Sequence, residues 1–200
     1  MSEYFLFRGV DNLVYAEVTK DTLEEFVTGE VKALSPVAEI GKTTETSSEA
    51  KYYDNIPMFI DKSEGPDEIS CRVVPLTLDV LADITGKFFD EETGMMIDGP
   101  STNKYFAIGY RTKGNDGFYR YVWRLKGTFN IPDETSATED DGTESNDQEL
   151  IFTGIHTVHK FTKTNTTAKG LIVDERIGSA DVEKFFETVQ TPDTVKAKTV

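Results

Sequence analysis

The residues of this chain that could perform chemistry are few and poorly placed for it. Cys71 is the single cysteine, and His156 and His159 are the only histidines. Nucleophilic catalysis needs a serine or cysteine beside a base that a third group orients. No Gly-x-Ser-x-Gly turn and no glycine-rich phosphate loop occurs in the sequence. One thiol precludes an intrachain disulfide, and with two imidazoles it falls short of a conventional structural zinc site. The two histidines lie three residues apart in a segment that reads as a strand. They therefore point to opposite faces and cannot share a metal ion.

A stronger chemical feature is acidic. Residues 133–149 hold eight Asp and Glu and no Lys or Arg. An EF-hand frame built on Gly142 would place Ala137 at its first ligand position and Gln148 at its last, where carboxylates are required. The segment therefore reads as a solvated acidic loop. Carboxylate pairs suited to glycoside hydrolysis can be drawn in many ways in so acidic a chain, so none carries information. No catalytic residue, metal ligand or cofactor is assigned, and the expectation is a protein that is not an enzyme.

Two stretches carry features better suited to contact than to catalysis. In residues 105–130, Tyr105-Phe-Ala-Ile-Gly-Tyr-Arg111 and Phe118-Tyr-Arg-Tyr-Val-Trp-Arg-Leu-Lys-Gly-Thr-Phe129 flank the turn formers Gly114-Asn-Asp-Gly117, the pattern of a β-hairpin. Alternation puts Tyr119, Tyr121, Trp123, Leu125 and Phe129 on one face, and Arg120, Arg124 and Lys126 with Val122 on the other. The aromatic face is expected to make core. The basic row is expected to meet carboxylates of a neighbouring subunit. The second stretch, residues 41–66, is polar, poorly periodic and too long for an ordinary connection. It predicts a long loop that contacts another subunit through Tyr52, Tyr53, Met58, Phe59 and Ile60. The alternative is that residues 52–60 fold back on their own core as a strand.

The elements that must position these stretches are mainly strands. Residues 13–19 form a first strand, and 31–40 a second that Pro36 interrupts, as at an edge or bulge. Residues 68–74 put Ile69, Cys71 and Val73 on one face, so Cys71 reads as a small buried hydrophobe. Leu78, Leu81 and Ile84 predict a short helix over 78–85, with Thr77 as N-cap and Gly86 as its stop. A small hairpin spans 88–103, a long strand 150–161 and a short one 171–173. Val182, Phe185, Phe186 and Val189 predict an amphipathic helix over 179–190, capped by Ser179 and packed by default on its own sheet, the alternative being a neighbouring subunit. Residues 191–200 read as a frayed tail.

Two hundred residues suffice for a single domain with a sizeable core. The net charge of −15 opposes tight binding to a nucleic-acid backbone. No stretch approaches the ~20 apolar residues of a membrane-spanning helix, and the start has no basic segment ahead of an apolar run. Neither membrane anchorage nor a signal peptide is expected.

The order of these motifs resembles the major tail protein of long-tailed phages, the phi13-type tail tube family. Four stretches carry the resemblance: Gly9-Val-Asp-Asn-Leu-Val-Tyr-Ala16, the helix region Pro75-Leu-Thr-Leu-Asp-Val-Leu-Ala-Asp-Ile-Thr-Gly86, the hairpin pair within 105–127, and Ala180-Asp-Val-Glu-Lys-Phe-Phe-Glu-Thr-Val189. The resemblance implies a β-sandwich or barrel-like tail tube fold with a flanking short helix, a C-terminal helix and long loops. It also implies six copies closing a ring, and rings stacking into a tube through which DNA passes without specific binding. Tape measure, distal tail and tail terminator proteins would be partners, and the protein would be assembled in the host cytoplasm into the virion tail. The 41–66 segment would then contact the adjacent ring. The competing expectation is a monomeric β-sandwich module that binds a saccharide or protein ligand on its aromatic hairpin. Exposure of Tyr119, Tyr121 and Trp123 separates the two.

Overall fold

A computed structural model describes residues 5–133 and 147–198. In chain order its elements are β1 (Phe7–Asp21), β2 (Phe26–Thr28), β3 (Lys32–Ala33), β4 (Val37–Tyr53), β5 (Ile56–Val73), α1 (Leu78–Thr85), β6 (Phe88–Asp90), β7 (Met95–Ile97), β8 (Phe106–Gly114), β9 (Tyr119–Phe129), β10 (Gln148–Gly154) and β11 (Gly170–Asp174). The protein is mainly β, as its alternating patterns require. The main sheet is antiparallel in the order β2-β1-β8-β9-β10-β5-β4, with β11 on β9 and β3 on β1. β3 pairs β1 at Val14↔Ala33, and only a few residues later β4 pairs β5 at Val37↔Val73. The chain thus steps from one side of the sheet to the other at Pro36, which has no N–H to place in a ladder. That step curls the sheet into a barrel-like, sandwich-like body.

Alternation divides the apolar side chains between two cores. The interior holds Leu13, Tyr15, Ile69, Cys71, Val73, Phe106, Ile108, Val122, Leu150 and Phe152, with Ile84 of α1 packed against them. The outer face of β1, β8 and β9 presents Val14, Ala16, Ala107, Tyr121, Trp123 and Leu125, covered by Phe161, Phe185 and Val189. Trp123 is fully buried and Tyr121 is 6 % exposed, so the hairpin's aromatic face is core and offers no open platform. Phe129 departs from the simple alternation. The register passes from Phe106↔Gly127 to Ile108↔Arg124, which inserts an extra residue in β9. A bulge of this kind reverses which face the following residues occupy. Phe129 accordingly joins the interior beside Tyr15, Phe106 and Phe152, and Lys126 leaves the face shared by Arg120 and Arg124.

The short helix has the expected bounds. Leu81 and Ile84 are buried, Leu78 is exposed, and Thr77 stands at the N-cap without a side-chain capping bond. Gly86 ends it at φ 66°, and a Cβ there would lie 2.2 Å from the Thr102 carbonyl oxygen. The small hairpin is β6 paired with β7.

Three expectations fail at the C-terminal side. The strand from 150 stops at Gly154, because Ile155 N–H turns to the Lys126 carbonyl and Thr157 N–H to that of Ala168. Residues 179–190 form consecutive turns instead of an α-helix. Phe185 N–H bonds the Val182 carbonyl and Glu187 N–H that of Lys184, both i to i+3 contacts. Trp123 Nε1 donates to the Phe185 carbonyl at 3.1 Å, occupying the acceptor a helix would offer to Val189. The apolar stripe still packs on its own sheet, since Phe185 and Val189 are buried and Phe186 lies against Tyr121 and Trp123. Up to residue 198 the tail is tied down. Lys198 N–H bonds the Ser179 carbonyl, and the Asp193 carboxylate accepts from Thr162 and Lys163 N–H at 2.9 and 2.8 Å. Of the acidic loop, residues 134–146 lie outside the described residues.

Candidate interaction surface

Residues 41–66 are the outer parts of two long strands, which corrects the expectation of a loop. Asp54 and Asn55 have φ of 50° and 64°, the left-handed pair that a two-residue hairpin turn requires and that Asn and Asp tolerate. β4 and β5 pair from Val37↔Val73 out to Tyr53↔Ile56. β10 supports β5 only as far as Asp67↔Gly154. Among the described residues, the ribbon from Thr46↔Glu64 outward has two strands and no third. At about 3.3 Å per residue it projects roughly 25 Å from the barrel.

The arm carries its own stitching. Ser47 and Ser63 hydroxyls meet at 2.8 Å, Lys51 pairs with Asp61, and the Tyr53 and Phe59 rings meet edge-on at 5.8 Å. Register puts Tyr53, Lys51 and Phe59 on one face and Tyr52, Ala50 and Ile60 on the other, with an irregularity at Met58 between the Lys51↔Phe59 and Tyr52↔Pro57 pairs. The five residues expected to make a contact are therefore brought together at the tip. Ile56, which the sequence reading missed, joins them. All six side chains are between 53 % and 66 % exposed. Apolar groups on both faces of a two-stranded ribbon cannot be buried by the ribbon itself, and an isolated hairpin is barely stable in water. Among the described residues its outer edges also leave backbone N–H and C=O groups open to another strand. Phe88, Met95 and Ile97 on the β6–β7 hairpin are likewise exposed.

The basic row finds its carboxylates within the chain. Arg120 pairs with Asp174 at 3.0 Å, Arg124 with Asp67 at 3.5 Å and Lys126 with Asp21 at 2.6 Å. Arg124 and Lys126 are buried. The partners expected on a neighbour are thus supplied by β1, β5 and β11. Burial alone would raise the carboxyls of Asp21, Asp67, Asp83 and Asp174, but hydrogen bonds from their partners hold all four below the usual range. Their unfolded values lie near about 3.9, so around and below that pH the folded state binds fewer protons than the unfolded one. Their contribution is present above that value and is lost on acidification through the lower folded values. The net charge of −15 acts in the opposite direction, because protonation relieves repulsion. With repulsion screened by about 0.15 M salt, the melting temperature is expected to be nearly flat from pH 7 to 5 and to fall below pH 4. Thermal scans across that range measure it.

The remaining candidates for chemistry are separated from one another. Cys71 is 1 % exposed, and burial pushes its thiol up to about 12, where it has little thiolate at neutral pH. His156 Nδ1 lies 3.3 Å from Thr167 Oγ1, and the His159 ring packs edge-on against Phe161. Among the described residues no three His, Cys, Asp or Glu side chains are grouped to hold a metal ion. No family model matches the chain, and no curated protein matches it.

Proposed function

We propose that the chain is a structural subunit that self-assembles into stacked rings forming a phage tail tube, with the β4–β5 arm making the contact between successive rings. The observation that carries this reading is the arm: a two-stranded ribbon that no other described strand pairs beyond Asp67, with apolar side chains exposed on both faces of its tip. Such a tip is suited to insertion between two surfaces, and a contact between unlike patches of identical copies propagates head to tail. The β6–β7 hairpin supplies a second exposed apolar patch for such a contact. The ordered motifs of the sequence support the same reading, and a strongly acidic wall would let DNA pass without holding it.

Electron microscopy of concentrated protein tests the proposal. Rings or tubes with a central hole are expected. Each copy brings a net charge of −15, so assembly should be easier in about 1 M salt, where the screening length is about 3 Å. Assembly that weakens as salt rises, or particles in which the chain lies outside the tail shaft, would overturn it.

A further inference from the structure

Three ion-pair clusters of the barrel balance among the described residues. Lys126 faces Asp21 one to one. Lys32 and Lys104 face Asp83 and Glu17. Arg120 and Arg176 face Asp174 and Asp116. At the root of the arm, however, Lys42, Arg124 and Lys169 all converge on Asp67, at 3.3, 3.5 and 3.3 Å. Asp67 is 2 % exposed, and the side chains of Arg124 and Lys169 are each 10 % exposed. Glu64 stands 3.8 Å from Lys169 but is 71 % exposed, so solvent screens most of what it could neutralise. The cluster thus concentrates three cations on one buried carboxylate, in a chain that is otherwise strongly acidic.

These residues line a cavity of about 380 Å³ together with Thr44, Thr46, His156 and Gly170. Thr44 Oγ1 donates to Asp67 at 2.9 Å, and Lys169 Nζ also donates to the Gly65 carbonyl at 2.6 Å. Arg124 Nε–H is buried with no acceptor among the described residues. A buried cation without a matching anion is costly, and a buried donor without an acceptor adds to that cost. The Thr46 hydroxyl, the Lys42 ammonium and the Arg124 guanidinium around one cavity form a donor set that an oxyanion satisfies.

We infer that this pocket, formed by Lys42, Arg124 and Lys169 around Asp67, is a binding site for an oxyanion, either a free inorganic anion or a carboxylate side chain of a second copy. Lys42 lies at its rim and Arg124 at its depth. The anion completes a charge balance like that of the Asp21, Asp83 and Asp174 clusters, and it fastens the root of the arm, since Lys42 belongs to β4 while Arg124 and Lys169 belong to the barrel wall and the approach to β11.

Inorganic phosphate is the probe. Calorimetric titration and thermal scans of the full chain, with chloride at matched ionic strength as reference, should show saturable binding and a rise in melting temperature specific to phosphate. Lys42→Ala removes a side chain that is 31 % exposed at the rim, so the fold should persist while phosphate affinity falls about tenfold, the loss of one charge-assisted contact of roughly 1.4 kcal/mol. No saturable effect beyond chloride, or affinity unchanged in Lys42→Ala, would overturn the site. A second arm identifies the source and rests on the assembly reading, whereas the first does not. If phosphate raises the protein concentration needed for assembly relative to chloride, the natural occupant is a neighbour's carboxylate. If it leaves that concentration unchanged, the occupant is a free anion.

Discussion

A chain carrying Tyr53→Thr, Phe59→Thr and Ile60→Thr is expected to fold normally and to lose assembly. The three side chains are 53 %, 58 % and 64 % exposed, so the folded protomer loses chiefly the Tyr53–Phe59 ring contact at the arm tip, and surface changes of this kind shift stability by about 0.5 kcal/mol each. Threonine is β-branched and so suits a strand. In an assembled contact each native side chain would be covered, a gain of about 1.5–3 kcal/mol apiece. Losing all three should raise the concentration needed for assembly by at least about a hundredfold, since every 1.4 kcal/mol is about tenfold. Sedimentation velocity and negative-stain microscopy of native and triple-variant protein, with near-ultraviolet circular dichroism to verify the fold, make the comparison. Equal assembly by the two chains would remove the arm tip from the interface.

Asp21→Ala should be among the most destabilising single changes in the barrel. The Asp21 side chain is 4 % exposed and accepts from Lys126 Nζ at 2.6 Å, from Val158 N–H at 2.8 Å and from His159 N–H at 2.9 Å. It thereby fastens the end of β1 to β9 and to the irregular segment after β10. Alanine would leave the Lys126 charge buried without its partner and two amides without their acceptor. Breaking a buried pair from one side costs about 3–5 kcal/mol, a large fraction of the roughly 5–15 kcal/mol by which domains are stable. Asp21→Asn keeps an acceptor for the amides but loses the charge and sets an NH2 donor against Lys126, so it should fall between native and alanine. Urea unfolding of the three proteins orders them. An Asp21→Ala chain within about 1 kcal/mol of native would show that Lys126 reaches water when its partner is removed.

The same residues show what is readable locally. Helix α1 is legible because an N-cap position, an apolar spacing of three and a left-handed glycine all act within one short segment. The β8–β9 hairpin is legible for a similar reason: its alternation and turn chemistry lie within 25 residues. The arm was misread because its strands are rich in Thr, Ser, Lys and Glu and bury neither face, so hydrophobic periodicity, the main signal for a strand, is absent. Its turn was nevertheless present in Asp54-Asn55. The C-terminal segment was misread in the opposite sense. Val182, Phe185, Phe186 and Val189 do share a buried face, but Trp123 takes the Phe185 carbonyl and residues 196–198 hold the segment's start.

By itself the sequence determined the mainly β class, the core identity of Tyr121, Trp123, Ile69, Cys71 and Val73, the short helix, and the apolar residues now found at the tip of the arm. Only the tertiary structure decided that the chain crosses between sheet edges at Pro36, that a bulge sends Phe129 inward and Lys126 outward, and that the basic row is answered by Asp21, Asp67 and Asp174. These depend on residues tens to more than a hundred positions apart. Alternation assigns a side chain to a face, whereas the partner it meets there is set by which strands the closed sheet brings together.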